Sequence, residues 1–189
     1  PLAGSVCDPS SARLGSWPFV TDGTSLFYPR LTPTNTKQLA RCPLVGPCTP
    51  EIIASSLPTD YVALATNPSA LFVARSVATD AGSSKWIERC PLEGPCLSPV
   101  RWTTTDGSAE VREMVADDSS VYWTYGGDNA TIWRCSSGCP QGPEAVAEAQ
   151  TNPFALQRQG DFLYWGTRDL AGTTDGAGVW RAPKSATVD

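Results

Sequence analysis

The chain repeats itself four times. Leu39-Ala40-Arg41-Cys42, Ile87-Glu88-Arg89-Cys90, Ile132-Trp133-Arg134-Cys135 and Val179-Trp180-Arg181-Ala182 share one pattern: apolar, any residue, Arg, small. The arginines lie 48, 45 and 47 residues apart, and a period of that size marks an array of similar supersecondary units. Each copy follows an apolar or aromatic triplet: Leu26-Phe27-Tyr28, Leu71-Phe72-Val73, Val121-Tyr122-Trp123 and Leu163-Tyr164-Trp165. Two anchors in constant order leave few folds open.

Turn chemistry between the anchors predicts a meander of four short strands per repeat. In the third repeat, Met114-Val115-Ala116 is a strand, Asp117-Asp118-Ser119-Ser120 a turn, and Val121-Tyr122-Trp123 the returning strand. The loop Gly126-Gly127-Asp128-Asn129 leads to a third strand, Thr131 to Cys135, and Glu144-Ala145-Val146-Ala147 is the fourth. Matching fourth strands are Ile52-Ile53-Ala54 and Val100-Arg101-Trp102. Repeat limits fall near 17–58, 59–105, 106–149 and 150–189, with 1–16 as an N-terminal segment in which Leu2 to Val6 could supply a ring-closing strand. The last repeat is expected to enter its outer strand only at Ala186. The longest variable connections are expected at Ala78 to Ser84 and Ala171 to Ala177.

Composition supports a folded, strand-rich chain. Of 189 residues, 41% are hydrophobic and 9% aromatic, well outside the disordered class. Seventeen Pro and sixteen Gly leave little room for long helices. A net charge of -5 and a pI near 4.7 argue against nucleic acid or an anionic membrane as partner. No apolar run reaches the roughly 20 residues of a transmembrane helix, so membrane insertion is not expected. With no initiator Met and no signal segment, the chain reads as a mature product or an excised fragment.

Cysteine placement follows the repeats. Cys42 with Cys48, Cys90 with Cys96, and Cys135 with Cys139 recur just after the Arg motif, while Cys7 stands apart. The first two loops read Cys-Pro-Leu-Val-Gly-Pro-Cys and Cys-Pro-Leu-Glu-Gly-Pro-Cys, and the third is Cys-Ser-Ser-Gly-Cys. Pro and Gly turn each loop back, bringing its cysteines toward disulfide range. Zinc is the competing account, but it favours C-x-x-C spacing and often His, which this chain lacks. Three local disulfides predict an oxidising, extracytoplasmic setting, secreted or on the cell surface. Cys7 is left as a free thiol or the partner of a cysteine in another chain or in missing sequence.

The Val-Tyr-Trp and Leu-Tyr-Trp strands, Trp-Arg-Cys and the Cys-Pro-Leu-x-Gly-x-Cys loops resemble the repeats of secreted bacterial β-propellers of the YVTN or low-density-lipoprotein-receptor YWTD-like type. That resemblance covers residues 17–189 and implies an all-β propeller of four-stranded antiparallel blades. A monomeric four-bladed ring is expected first. Part of a larger ring, or two chains completing eight blades, is the alternative. Val73 departs from the aromatic pattern in the second repeat, and the fourth repeat has Ala182 and no cysteine loop.

Repeated aromatics and arginines raise the question of a ligand. Trp123 and Trp165 share one second-strand position and Trp133 and Trp180 one third-strand position. The ordinary role of such residues is to fill the wedge between sheets. Trp133 and Trp180, with Asp128 and Asp175 nearby, are the candidate ligand contacts. Their counterparts are Ala40 and Glu88, and because a carboxylate is costly in a dry interior, that face is expected to be partly wet. Arg41, Arg89, Arg134 and Arg181 are expected to pair with a carboxylate or a carbonyl in the blades.

Catalytic options are few. Without His there is no Ser-His-Asp or Cys-His site and no His-ligated zinc centre. A two-carboxylate glycosidase stays formally open, but Asp22, Asp106, Asp117, Asp118, Asp161 and Asp175 sit in predicted turns, where carboxylates cap backbone amides. No cofactor or metal is expected. Calcium at Asp117-Asp118 or Asp128-Asn129 is a weak exception that lacks EF-hand spacing, and Asn129-Ala130-Thr131 is a lone glycosylation sequon. The expectation is therefore a non-catalytic extracellular module for protein interaction, scaffolding or self-assembly with its own copies. A lectin-like glycan binder is second, and a propeller lyase or glycosidase third.

Overall fold

Every strand pairs with its neighbour in the chain. The computed structural model describes residues 18–34, 36–55, 63–79, 82–105, 110–168 and 177–187. These form four antiparallel sheets and, among the described residues, no helix. Sheet one contains β1 (Val20–Thr21), β2 (Ser25–Leu31), β3 (Lys37–Pro43) and β4 (Glu51–Ser55). Sheet two contains β5 (Leu64–Asn67), β6 (Ala70–Thr79), β7 (Gly82–Cys90) and β8 (Val100–Thr104). Sheet three contains β9 (Val111–Ala116), β10 (Ser120–Tyr125), β11 (Ala130–Ser136) and β12 (Glu144–Gln150). Sheet four is shorter, with β13 (Phe154–Gln159), β14 (Phe162–Thr167) and β15 (Gly178–Pro183).

The repeated Arg lies on the third strand of each sheet and the aromatic triplet on the second. Two details differ from expectation. The outer strand anticipated from Ala186 is absent among the described residues; after β15 the chain turns instead, with the Ala186 amide bonded to the Pro183 carbonyl. The connection expected from Ala78 to Ser84 is largely hairpin, because β6 and β7 stay paired from Leu71↔Cys90 out to Thr79↔Gly82. No Pro stands between Arg75 and Lys85 to withhold a ladder donor. Most of the other connection (171–176), the N-terminal segment 1–16 with Cys7, and Asp106 lie outside the described residues.

First turns share one device. Asp22 Oδ1 accepts the Thr24 and Ser25 amides, Asn67 Oδ1 those of Ser69 and Ala70, and Asp117 Oδ1 those of Ser119 and Ser120. A short side-chain acceptor here replaces the backbone acceptor a tight turn lacks. In sheet four, Gln159 precedes Gly160-Asp161, and the turn instead relies on Gly160 at φ 55°.

Strand alternation then decides the packing. β10 is buried along its whole length: Val121, Trp123 and Tyr125 meet Phe72, Ala74 and Ile87 of sheet two, while Tyr122 on the opposite face meets Leu163 and Trp165 of sheet four. A third cluster joins Phe27, Leu39 and Ile53 of sheet one to Leu71 and Val73 of sheet two. The core is thus three successive sheet-on-sheet layers rather than one centre.

Asp117 fastens three of the sheets. Its carbonyl accepts Asn67 Nδ2 at 2.8 Å. Its Oδ2 accepts the Tyr122 hydroxyl and Lys184 Nζ, each at 3.0 Å. Burial pushes the carboxyl's pKa up, but the bonds from Lys184, Ser119, Tyr122 and Ser120 outweigh it and hold the group below its ordinary 3.8. The Tyr122 hydroxyl, desolvated and beside that carboxylate, is pushed up to about 12.

All three repeat-local disulfides are formed, with Cα–Cα separations of 5.2 Å (Cys42–Cys48), 5.3 Å (Cys90–Cys96) and 5.1 Å (Cys135–Cys139). They tie the loop after the third strand, and Cys42, Cys90, Cys96 and Cys135 are buried. Digestion under non-reducing conditions followed by mass spectrometry should recover these three pairs and no bridge between repeats. Asp117→Asn keeps the turn acceptor but loses the ion pair, so it should cost roughly 1–3 kcal/mol at pH 7. A carboxyl with a depressed folded pKa stabilises above its ordinary value and ceases to as pH falls through the lower one. The gap between wild type and Asp117→Asn in urea titrations should therefore close as pH drops below about 3.8.

Candidate functional site

The first strands of all four sheets converge on one cavity of about 360 Å³. It is lined by segments Pro18 to Thr21, Ala63 to Thr66, Arg112 to Ala116 and Leu156 to Arg158. Thr66 Oγ1 donates to the Thr21 carbonyl at 2.8 Å and joins two of these strands directly. Arg112, Glu113 and Arg158 supply its charged groups. Burial raises the Glu113 carboxyl above its ordinary value, against the opposing Ala155 backbone hydrogen bond and Arg112 charge. The cavity therefore has a local positive balance on a chain whose net charge is -5. Sequence reasoning missed Glu113. A usable signal existed, since the matching places in the first two repeats hold Pro18 and Ala63, and one acid among small apolar residues stands out.

The repeated arginines work as sheet connectors. Arg41 donates to the Leu92 carbonyl of the next sheet and to Glu51 on its own fourth strand. Arg134 repeats both contacts with the Lys184 carbonyl and Glu144. These two arginines thus pair with both a carboxylate and a carbonyl. Arg89 faces Val100 in the register and reaches Ser69 Oγ at 3.5 Å. Arg181 lies over the Phe162 ring, 5.1 Å from its centre.

At Glu88 the face expected to be partly wet is closed over. The side chain is buried, at 7% exposure, but it is not dry and alone. Arg75 Nε stands 2.5 Å from Oε2, and Trp86 Nε1 donates to Oε1 at 2.7 Å. The charge is tolerated because a cation and an indole N–H meet it. Arg75 lies on the second strand, and nothing in the Arg-centred motif pointed to it.

Three of the four candidate ligand contacts, Trp133, Trp180 and Asp128, fall among the described residues. Trp133 is half-buried against the layer between sheets two and three and pairs in register with Trp123. Trp180 pairs with Trp165 but is 51% exposed, with Nε1 bonded to Thr167 Oγ1 at 2.8 Å. Asp128 lies in the exposed turn before β11. Asp175 lies outside the described residues. The turn aspartates expected to cap do so at Asp22 and Asp117. Among the described residues no three His, Cys, Asp or Glu side chains are grouped as for a metal, and no helix is long and apolar enough to cross a membrane. Compared with known proteins, the chain matches no family model and no curated sequence.

Proposed function

We propose that this chain is a non-catalytic β-propeller module that works outside the cytoplasm, binding another protein or its own copies, with the four sheets as its blades. The observation that carries the reading is the cavity. Its walls are the first strand of every sheet, which is where radially stacked blades direct their innermost strands. Packing in chain order, sheet one on two, two on three and three on four, supports the same arrangement. So does the likeness of the strand and cysteine motifs to secreted bacterial propellers of the YVTN and YWTD-like type. Three disulfides suit an oxidising compartment, secreted or at the cell surface. Against catalysis stands the lining of the cavity: Glu113 is its one carboxylate among the described residues, whereas two-acid glycoside hydrolysis needs a facing pair.

A glycan-binding reading draws on Trp180, a large aromatic left half in solvent. The two readings part on mutation. Trp133→Ala should lower stability by roughly 3 kcal/mol because it opens a packed layer, and Trp180→Ala should leave the melting temperature nearly unchanged. A glycan array is expected to show no sugar whose binding depends on Trp180. A glycan held by wild type and lost by Trp180→Ala would shift the assignment to a lectin. Solution scattering tests the ring itself: a compact monomer of this length should give a radius of gyration of about 16 Å, and a clearly larger value at monomer mass would mean an open row of sheets.

A further inference from the structure

Three of the four sheets show what completes the outer edge of a third strand. Glu51, Val100 and Glu144 open the fourth strands opposite Arg41, Arg89 and Arg134. The register then slips at the same place in each: Ala40↔Ile52 is followed by Leu39↔Ala54, Glu88↔Arg101 by Ile87↔Thr103, and Trp133↔Ala145 by Ile132↔Ala147. The residues left over are Ile53, Trp102 and Val146, and each packs into an inter-sheet layer. A bulge at a fixed register aims one extra side chain inward. Beneath it lie Leu39, Ile87 and Ile132, all 0% exposed.

Among the described residues sheet four has no such cover. Among the described residues β15 pairs with β14 alone, so one edge of its backbone is open. Val179 holds the place of Leu39, Ile87 and Ile132 yet is 84% exposed, with Trp180 beside it at 51%. Arg181, in the place of Arg41 and Arg134, is exposed and has no carboxylate partner among the described residues.

We infer that the outer edge of β15 is a docking site for an extended strand of a separate polypeptide, with an acidic residue opposite Arg181 and a large apolar residue two positions later that covers Val179. Backbone pairing would supply affinity, and the acid and the apolar residue register and choice. Charge complementarity and the three finished edges define this partner. A second folded copy does not fit, because Glu51 and Glu144, the acids that open its fourth strands, are already engaged by its own Arg41 and Arg134, and β15 itself carries no acid. The sequence from Leu2 to Val6 carries no acid and does not fit the pattern. The inference deepens the protein-binding reading and rests on it for the class of partner. A scattering or glycan result against the ring bears on that reading, and peptide binding on this one.

The probe is a labelled synthetic peptide, Gly-Pro-Glu-Ala-Val-Ala-Glu-Ala-Gln, which copies residues 142–150, added to the full chain. Saturable binding in fluorescence anisotropy is expected, with new hydrogen-exchange protection confined to the amides of residues 178–182. Replacing the peptide's first Glu by Lys, or Arg181→Glu in the protein, should each weaken binding at least tenfold. The two changes together should restore it. Both protein positions are exposed, and unchanged melting of Arg181→Glu and Val179→Asp would show that they fold. Any of four results overturns the proposal: no peptide binding, binding unaltered by Val179→Asp, protection in the free monomer of the β15 amides that are not bonded to β14, or protection that comes only with concentration-dependent doubling of mass.

Discussion

A β-sheet with apolar side chains on both faces must be covered twice, and each meander in this chain can provide one cover to each neighbour. β10 is the clearest case, with Trp123 turned toward sheet two and Tyr122 toward sheet four. Everything else follows from satisfying that requirement in sequence. The sheets stack in chain order, and their short first strands meet around a cavity. The largest side chains lie in the layers between sheets, where area removed from water stabilises most. The polar parts serve the same end. Arg41 and Arg134 reach across to the carbonyl of the following sheet, and Asp117 gathers contacts from the sheets on either side of its own.

Much of this was legible in the residues because it is local. Period, strand order, turn aspartates and cysteine pairing all depend on neighbours in sequence. The pairing of Arg with an acid was legible too, since Glu51 and Glu144 each follow their Arg by ten residues. What escaped was long-range. Lys184 sits 67 residues from the Asp117 carboxylate it meets, and no short-range pattern links them. Glu88 illustrates a different limit. Its burial could be argued from sequence only as a cost, and the Arg75 guanidinium that offsets the cost lies on another strand. Trp133 and Trp180 share a motif position, but one has a sheet packed over it and the other does not. Equivalence in sequence was not equivalence in environment.

The cavity and the open edge differ in what they offer. Inside the cavity, side chains from four different strands act together, so any contact there depends on how the sheets are arranged. Along β15 the offer is backbone plus two side chains from a single strand. Because β15 is already held along one side by β14, it presents a pre-ordered strand, and binding to it spends little conformational entropy on the protein's side.

The connectivity also bears on how the molecule is made. Because among the described residues each strand pairs only with its neighbours in the chain, none of these pairings has to wait for a distant segment to be synthesised, and the loops to be closed are short. Within a sheet, pairing between neighbours in the chain asks for less loop closure than threading remote strands together. One meander can close before the next has formed, and each of the six cysteines from Cys42 to Cys139 has its mate only four or six residues away, so the bridges can form one sheet at a time.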